Sequence, residues 1–229
     1  MITLKHVHKI FPNGTRALNN INLHISREEF VFLVGPTAAG KSTLMKLLYR
    51  ADEPTEGEIS IDRINVTTLP DEQIPFLRRN IGVVFQDFKL LPRRTTYENV
   101  AFALRVTGTS LLKIRRRVMQ VLDLVGLANK AKSLPHELSG GEQQRACIAR
   151  AIVNNPPILL ADEPTGNLDP ETSWEIMQLL AKINLHRTTV LVSTHAKEIV
   201  DGMRKRVVAL ENGQILRDQQ LGVYTHEDQ

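Results

Sequence analysis

The stretch GPTAAGKST, residues 35–43, decides how the rest of the chain is read. It fits G-x-x-x-x-G-K-[ST], in which backbone N–H groups wrap phosphates, the lysine reaches the outer phosphates and the hydroxyl holds magnesium. Gly35 and Gly40 leave room for the backbone to approach an anion, Lys41 supplies a point charge and Ser42 a metal-ligating oxygen. Pro36, Thr37, Ala38 and Ala39 occupy the free positions, and Thr43 follows Ser42. If the backbone at Ala38 needs a positive φ, alanine costs on the order of 1 kcal/mol there. That is roughly fivefold in affinity, enough to weaken a site without abolishing it.

Working outward, EFVFLVG before the loop is a continuous apolar run stopped by glycine, the mark of a strand buried on both faces. GKSTLMKLLYRA after it reads as a helix, whose N-terminal N–H groups and dipole favour an anion. Further out, MITLKHVHKIF and TRALNNINLHI read as strands joined by the turn chemistry of PNGT, an antiparallel hairpin. GEISIDRINV is a hairpin-type strand, and NIGVVFQDF a buried strand ending in polar residues. From about Thr96 to Ala151 the periodicity is mainly helical. In LLKIRRRVMQVLDLVGL, residues Leu112, Val118, Val121, Leu122 and Val125 are expected to share one face, with Gly126 closing the helix. Then come a strand in PPILLAD, a helix over ETSWEIMQLLAKIN, a strand in TTVLVSTH, a helix over AKEIVDGMR, a hairpin in RVVALENGQILR and a loose tail, THEDQ. Strands alternating with helices predict an α/β fold with a largely parallel sheet and ligands at its carboxyl edge. The helical middle, about residues 90–150, reads as a subdomain inserted into a single domain spanning residues 1–229.

Two more stretches carry chemistry. ILLADEP places Asp162 and Glu163 at the end of a buried strand, one suited to magnesium and the other to polarising an attacking water. LSGGEQQR, residues 138–145, sets a serine and two glycines at the start of a helix, a second anion site. One chain has no obvious need for two such sites unless two chains share them.

Composition bounds the setting. A single cysteine, Cys147, excludes an intramolecular disulfide framework, fits a reducing compartment and reads best as a small buried thiol. The N-terminus lacks the apolar core of a signal peptide, and no apolar run approaches the roughly 18 residues of a membrane span, so a soluble cytoplasmic protein is expected. The net charge is +4, with basic clusters in LRRN, LPRRTT, KIRRRV and GMRKRVV. Solvated faces are the default for such runs. An anionic membrane surface or nucleic acid is the alternative, and charge alone does not separate those two.

In their order along the chain, GPTAAGKST, the glutamine of VVFQDF, LSGGEQQR, ILLADEP and the histidine of VSTH resemble an ATP-binding-cassette nucleotide-binding domain over essentially the whole length. The resemblance implies a P-loop NTPase with a RecA-like core, an N-terminal antiparallel β subdomain and an inserted helical subdomain. It implies that two chains pair head to tail around two ATP molecules with Mg2+. Residues 35–43 would bind phosphates in cis, and Ser139, Gly140, Gly141 and Glu142 would form the signature that meets the γ-phosphate in trans. Glu163 resembles the catalytic base and His195 the switch histidine. Gln86, Asp162 and Ser42 resemble the magnesium partners, Gln86 also sensing the attacking water. Asp169 resembles a loop aspartate at the dimer interface. Phe11 matches the aromatic that stacks on adenine, although pattern alone fits a core phenylalanine nearly as well. Thr37-Ala38, where many members have Ser-Gly, is the departure.

LRRNIGVVFQDFKLLPRRTTYENVAFAL, ADEPTGNLDPETSWEIMQLLAKIN and VVALENGQILRDQQLGVY are similar to the cell-division branch of this family. That branch implies an integral membrane permease-type partner, contact with cytoplasmic division proteins, no nucleic acid, and a place on the cytoplasmic side of the membrane at the septum. The alternatives are the ATPase of a lipoprotein or drug exporter, and a slow-hydrolysing, ATP-gated scaffold. Phe88 and Leu90, in FQDFKLLPRR, are expected either to receive a helix of the membrane partner or to belong to the core.

Overall fold

The computed structural model describes residues 1–224, so the expected loose tail lies outside the described residues. In chain order the elements are β1 (Ile2–Ile10), β2 (Arg16–Ile25), β3 (Phe30–Val34), α1 (Lys41–Leu48), β4 (Glu56–Ile61), β5 (Ile64–Asn65), α2 (Ile74–Arg79), β6 (Ile81–Val84), α3 (Thr96–Arg105), α4 (Leu111–Leu124), α5 (Gly140–Ile152), β7 (Ile158–Asp162), α6 (Pro170–Leu185), β8 (Thr189–Ser193), α7 (Lys197–Met203), β9 (Arg206–Glu211) and β10 (Gln214–Gln219). They fall into two compact units, residues 1–78 with the chain from 189 onward, and residues 79–188.

In the first unit an antiparallel sheet runs β2-β1-β4-β5. Ile2, Leu4 and Val7 point to the core from β1 and Ile21, Leu23 and Ile25 from β2, while Lys5, His6, Asn22 and His24 face outward. This half-buried alternation is what a sheet covered on one face requires. A second set of strands runs β10-β9-β3-β8. β3 lies parallel to both neighbours, Val31 opposite Leu191 on one side and Arg206 on the other. All five β3 residues are buried, which explains why FVFLV shows no alternation. The β9–β10 hairpin turns through Asn212 and Gly213, both at positive φ, as a two-residue loop between right-twisted strands demands.

In the second unit β6 and β7 pair in parallel, Val84 opposite Ala161. α3 packs on α4 and α5, and α5 on β6 and α6. The core face of α4 is Ile114, Val118, Val121 and Leu122, continued by buried Val125, and Gly126 follows at φ +77. Leu112 does not belong to this face: it is 83% exposed. At 3.6 residues per turn Ile114 sits about 40° from Val118, whereas Leu112, six residues before Val118, sits about 240° round the helix. Phe88 and Leu90 are half-buried, between the two expectations for them.

Candidate nucleotide-binding and hydrolysis site

The first unit carries the stretch of residues 35–43, which leads from β3 into α1. Its backbone takes positive φ at Gly35 (+142°), Ala38 (+64°) and Gly40 (+105°). A Cβ at Gly35 would stand 2.0 Å from the Leu210 carbonyl oxygen, and one at Gly40 2.5 Å from that of Ala17, so neighbouring backbone requires both glycines. Ala38 meets the condition posed by the sequence: it holds a left-handed conformation without being glycine. Lys41 is buried and donates to the carbonyls of Gly35 (2.7 Å) and Pro36 (3.1 Å). Pro36, Thr37, Ala38 and Ser42 are exposed, Thr43 half-buried and Ala39 buried. The first turn of α1 holds no acidic side chain to oppose an anion. Crowded glycines, a confined lysine and an N-terminal turn without carboxylates fit a polyphosphate.

β8 pairs with β3 so that Ser193 stands opposite Leu33, and the Thr194 N–H donates to the Leu33 carbonyl at 3.2 Å. His195 therefore leaves the carboxyl end of the strand beside the one that feeds the loop, and its side chain is exposed. Phe11 lies just beyond β1 in a turn closed by its N–H to Thr15 (2.9 Å). The Lys9 ammonium sits 5.1 Å from the Phe11 ring centroid and is held by Asp52 at 2.5 Å and the Glu53 carbonyl at 2.8 Å. Burial opposes ionisation of Asp52, but the Lys9 hydrogen bond, the Glu53 N–H and the charges of Lys9 and Lys46 together hold the carboxyl below its ordinary range. Half-buried and covered by a cation, Phe11 is not closed into the core.

The second unit gathers the remaining chemistry at the carboxyl ends of β6 and β7. Gln86 is exposed two residues past β6, Asp162 ends β7 and Glu163 follows, both carboxylates half-buried. Glu163 has φ +48, a conformation β-strand ends seldom impose on glutamate. The Gln86 amide nitrogen stands 3.2 Å from the position a Cβ on Gly166 would take, and the Asn167 amide donates to the Gln86 carbonyl at 3.5 Å. One edge of this unit thus brings Gln86 to the loop that follows Asp162 and Glu163. Ser42, Gln86 and Asp162 are hard oxygen donors of the kind Mg2+ takes beside substrate phosphates.

Ser139 caps α5: its hydroxyl accepts from the Glu142 N–H (3.2 Å), and the Glu142 carboxylate accepts from the Ser139 N–H (2.9 Å). That backbone bond, with Lys130 nearby, holds the Glu142 carboxyl below its ordinary range. A Cβ on Gly141 would meet the Thr172 methyl at 2.5 Å, while Gly140 is half-buried. Asp169 caps α6, accepting from the Thr172 N–H at 2.9 Å, and is exposed. Sequence reasoning missed that Ser139 and Glu142 form a capping box, although S-x-x-E before a helix signals one. It also missed the tether between α5 and the Gln86 loop. The Phe88 carbonyl accepts from Arg150 (2.8 Å) and Cys147 (2.9 Å), and the Lys89 carbonyl from Arg150 (2.6 Å). No local pattern announces contacts about sixty positions apart. Beside this loop Asp87, Phe88, Leu90, Pro135, His136 and Gln143 line a cavity of about 330 Å³.

Residues 18–166 match the ABC transporter family. Over the full length of both chains, the sequence is 56% identical to the cell division ATP-binding protein FtsE of Bacillus subtilis. The chain belongs to the ABC transporter family and, within it, to the FtsE proteins. The FtsE of Mycobacterium tuberculosis is likewise 56% identical over 98% of each chain. Among solved structures, the dimeric post-hydrolysis state of an ATP-binding cassette bound to ADP and Pi is similar, with 41% identity and a TM-score of 0.88 over 97% of this chain and 99% of that one. FtsE membership accounts for the P-loop α/β architecture with its antiparallel β sheet and helical stretch. Among the described residues no helix is long and apolar enough to cross a membrane.

Proposed function

We propose that this chain hydrolyses ATP to ADP and phosphate as the cytoplasmic subunit of an FtsE–FtsX-type cell-division complex. The observation that carries the catalytic part is the loop of residues 35–43, where glycines crowded by backbone and a confined Lys41 form a phosphate cradle. Lys41 and the loop N–H groups bind phosphates, and Phe11 stacks on adenine with its orientation fixed by Lys9. Ser42, Gln86 and Asp162 supply oxygen ligands to Mg2+, which when bound neutralises charge on the phosphate oxygens. Glu163 orients the attacking water and accepts its proton as the water oxygen bonds to the γ-phosphorus and the bond to the ADP oxygen breaks. His195 contacts the γ-phosphate. Ser139, Gly140, Gly141 and Glu142 approach the γ-phosphate of a second copy, and Asp169 lies at that interface in a head-to-tail homodimer.

A chain without a spanning helix among its described residues does transmembrane work through a partner. The FtsE relatives support an FtsX-like integral membrane permease in that role, which would place the chain at the division septum. ATP-driven dimerisation and hydrolysis then move FtsX so that it activates extracellular peptidoglycan hydrolases. The cavity beside Phe88 has room for a side chain or two from a cytoplasmic helix of FtsX, and FtsZ is a further candidate partner. No nucleic-acid partner is proposed.

Steady-state ATP hydrolysis against protein concentration tests this reading, with Glu163→Gln in parallel. Specific activity is expected to rise with concentration as dimers form and to vanish in the variant. A wild-type rate no greater than that of Glu163→Gln at every concentration would leave ATP as a gate for assembly only.

A further inference from the structure

The basic run KIRRRV lies outside every site assigned above, and the structure divides its cations by job. Arg117 turns inward, donating to the Val153 carbonyl at 3.0 Å beyond the end of α5. Lys113, Arg115 and Arg116 are exposed, as is Arg105 at the end of α3, and among the described residues none of these four forms an ion pair. Between Glu98 and Asp123 the sequence holds no acidic residue. At this same end of the α3–α4 hairpin stand Leu111 (77% exposed) and Leu112 (83%), with Phe102 and Val106 also exposed. These side chains are spare to the fold, because the core face of α4 is already made by Ile114, Val118, Val121 and Leu122 and that of α3 by Val100, Ala101 and Leu104. Exposed apolar side chains among cations that lack ion-pair partners cost solubility and call for a partner.

We propose that this tip of the α3–α4 hairpin is a contact site for an anionic lipid surface: Leu111 and Leu112, with Phe102 and Val106, enter the headgroup boundary while Arg105, Lys113, Arg115 and Arg116 meet lipid phosphates. Two neighbouring exposed leucines at a helix start match the acyl boundary of a bilayer, whereas a nucleic acid offers phosphates but nothing for exposed aliphatic side chains. The proposal goes beyond the reading above, in which a membrane subunit alone holds the chain at the membrane. One such tip per chain gives weak, reversible binding, which strengthens when two chains present two tips.

Co-sedimentation of the purified full chain, with no membrane protein present, tests it on vesicles of phosphatidylglycerol and phosphatidylcholine and on vesicles of phosphatidylcholine alone. Binding is expected on the anionic vesicles only and falls with added salt. Leu111→Ser with Leu112→Ser lowers the partition coefficient by at least about tenfold, even when the leucines are only partly buried in the boundary, and Arg115→Glu with Arg116→Glu lowers it by at least about thirtyfold. ATP binding equal to wild type reports that each variant is folded. Wild type that ignores anionic vesicles, or binds both kinds equally, overturns the proposal, as does either double variant binding as wild type does. If vesicle binding is absent while the leucine variant loses capture of the membrane subunit, the face belongs to that protein and the lipid assignment falls. Failure of ATP hydrolysis with vesicle binding intact counts against the catalytic reading alone.

Discussion

Ala38 is the one non-glycine residue held at positive φ within the proposed phosphate cradle. At φ +64° its Cβ crowds the following carbonyl, a strain glycine lacks, while the neighbouring loop residues keep their contacts. Ala38→Gly is expected to strengthen ATP binding by no more than about fivefold, measured by fluorescent-nucleotide titration. A change of a hundredfold or more would mean that alanine remodels the loop. Glu163, at φ +48°, holds a similar conformation at the position proposed for the base. Such strain persists only where the surroundings over-determine it. Cys147 behaves as the sequence suggested. Burial pushes its thiol up to about 12, and its Sγ–H donates to the Phe88 carbonyl. Reaction of the native chain with a disulfide reagent at pH 8 should be roughly a thousandfold slower than that of the urea-unfolded chain. Comparable rates would show that α5 and the Gln86 loop separate readily in solution.

At the scale of elements, caps fix where helices begin. Thr95 and Glu98 form a reciprocal box at the start of α3, with the Glu98 N–H to the Thr95 hydroxyl at 3.2 Å and the Thr95 N–H to the Glu98 carboxylate at 2.8 Å. Thr95→Ala should lower stability by about 1 kcal/mol in urea unfolding without changing the m-value. A loss below about 0.3 kcal/mol would show the box to be dispensable beside the Asn99 side chain, which also accepts from the Leu91 N–H at 2.7 Å and donates to the Thr95 carbonyl at 3.1 Å. The helices and strands were legible because each repeats a local pattern: five consecutive buried residues in β3, alternation in β1, glycine after α4. Leu112 was misplaced because an apolar residue at a helix start says nothing by itself about which side faces the core. That depends on the angle from Val118, and Ile114 meets it instead.

At the scale of the whole molecule, sequence-distant parts of the first unit are fastened together by charge. Arg206 on β9 donates to Glu29 before β3 at 3.0 Å and makes a two-pronged contact with Asp218 on β10 at 2.7 and 2.6 Å. Burial opposes ionisation of Glu29, but the Ser26 N–H, Arg206 and Gln220 together hold its carboxyl below the ordinary range. A carboxyl lowered in the folded state adds stability above its unfolded pKa and loses it as pH falls through the folded value. Glu29→Gln should therefore cost about 1–2 kcal/mol at pH 7, toward the low end because the pair is partly solvated, and the difference from wild type should shrink below about pH 4. A difference in chemical unfolding that stays constant from pH 7 to pH 3 would assign the effect to packing instead of charge. The sequence by itself determined the glycine loop of residues 35–43, the order of strands and helices apart from the short α2, which it did not announce, the family and the candidate residues, because each is written in near neighbours or in the spacing of motifs. Tertiary structure decided what sequence-distant atoms impose. The Leu210 and Ala17 carbonyls make glycine necessary at positions 35 and 40, and Arg150 and Cys147 reach across about sixty residues to hold the Gln86 loop. It also decided that Leu111 and Leu112 face outward, because a helix has one core-facing side and α4 fills that side with other residues.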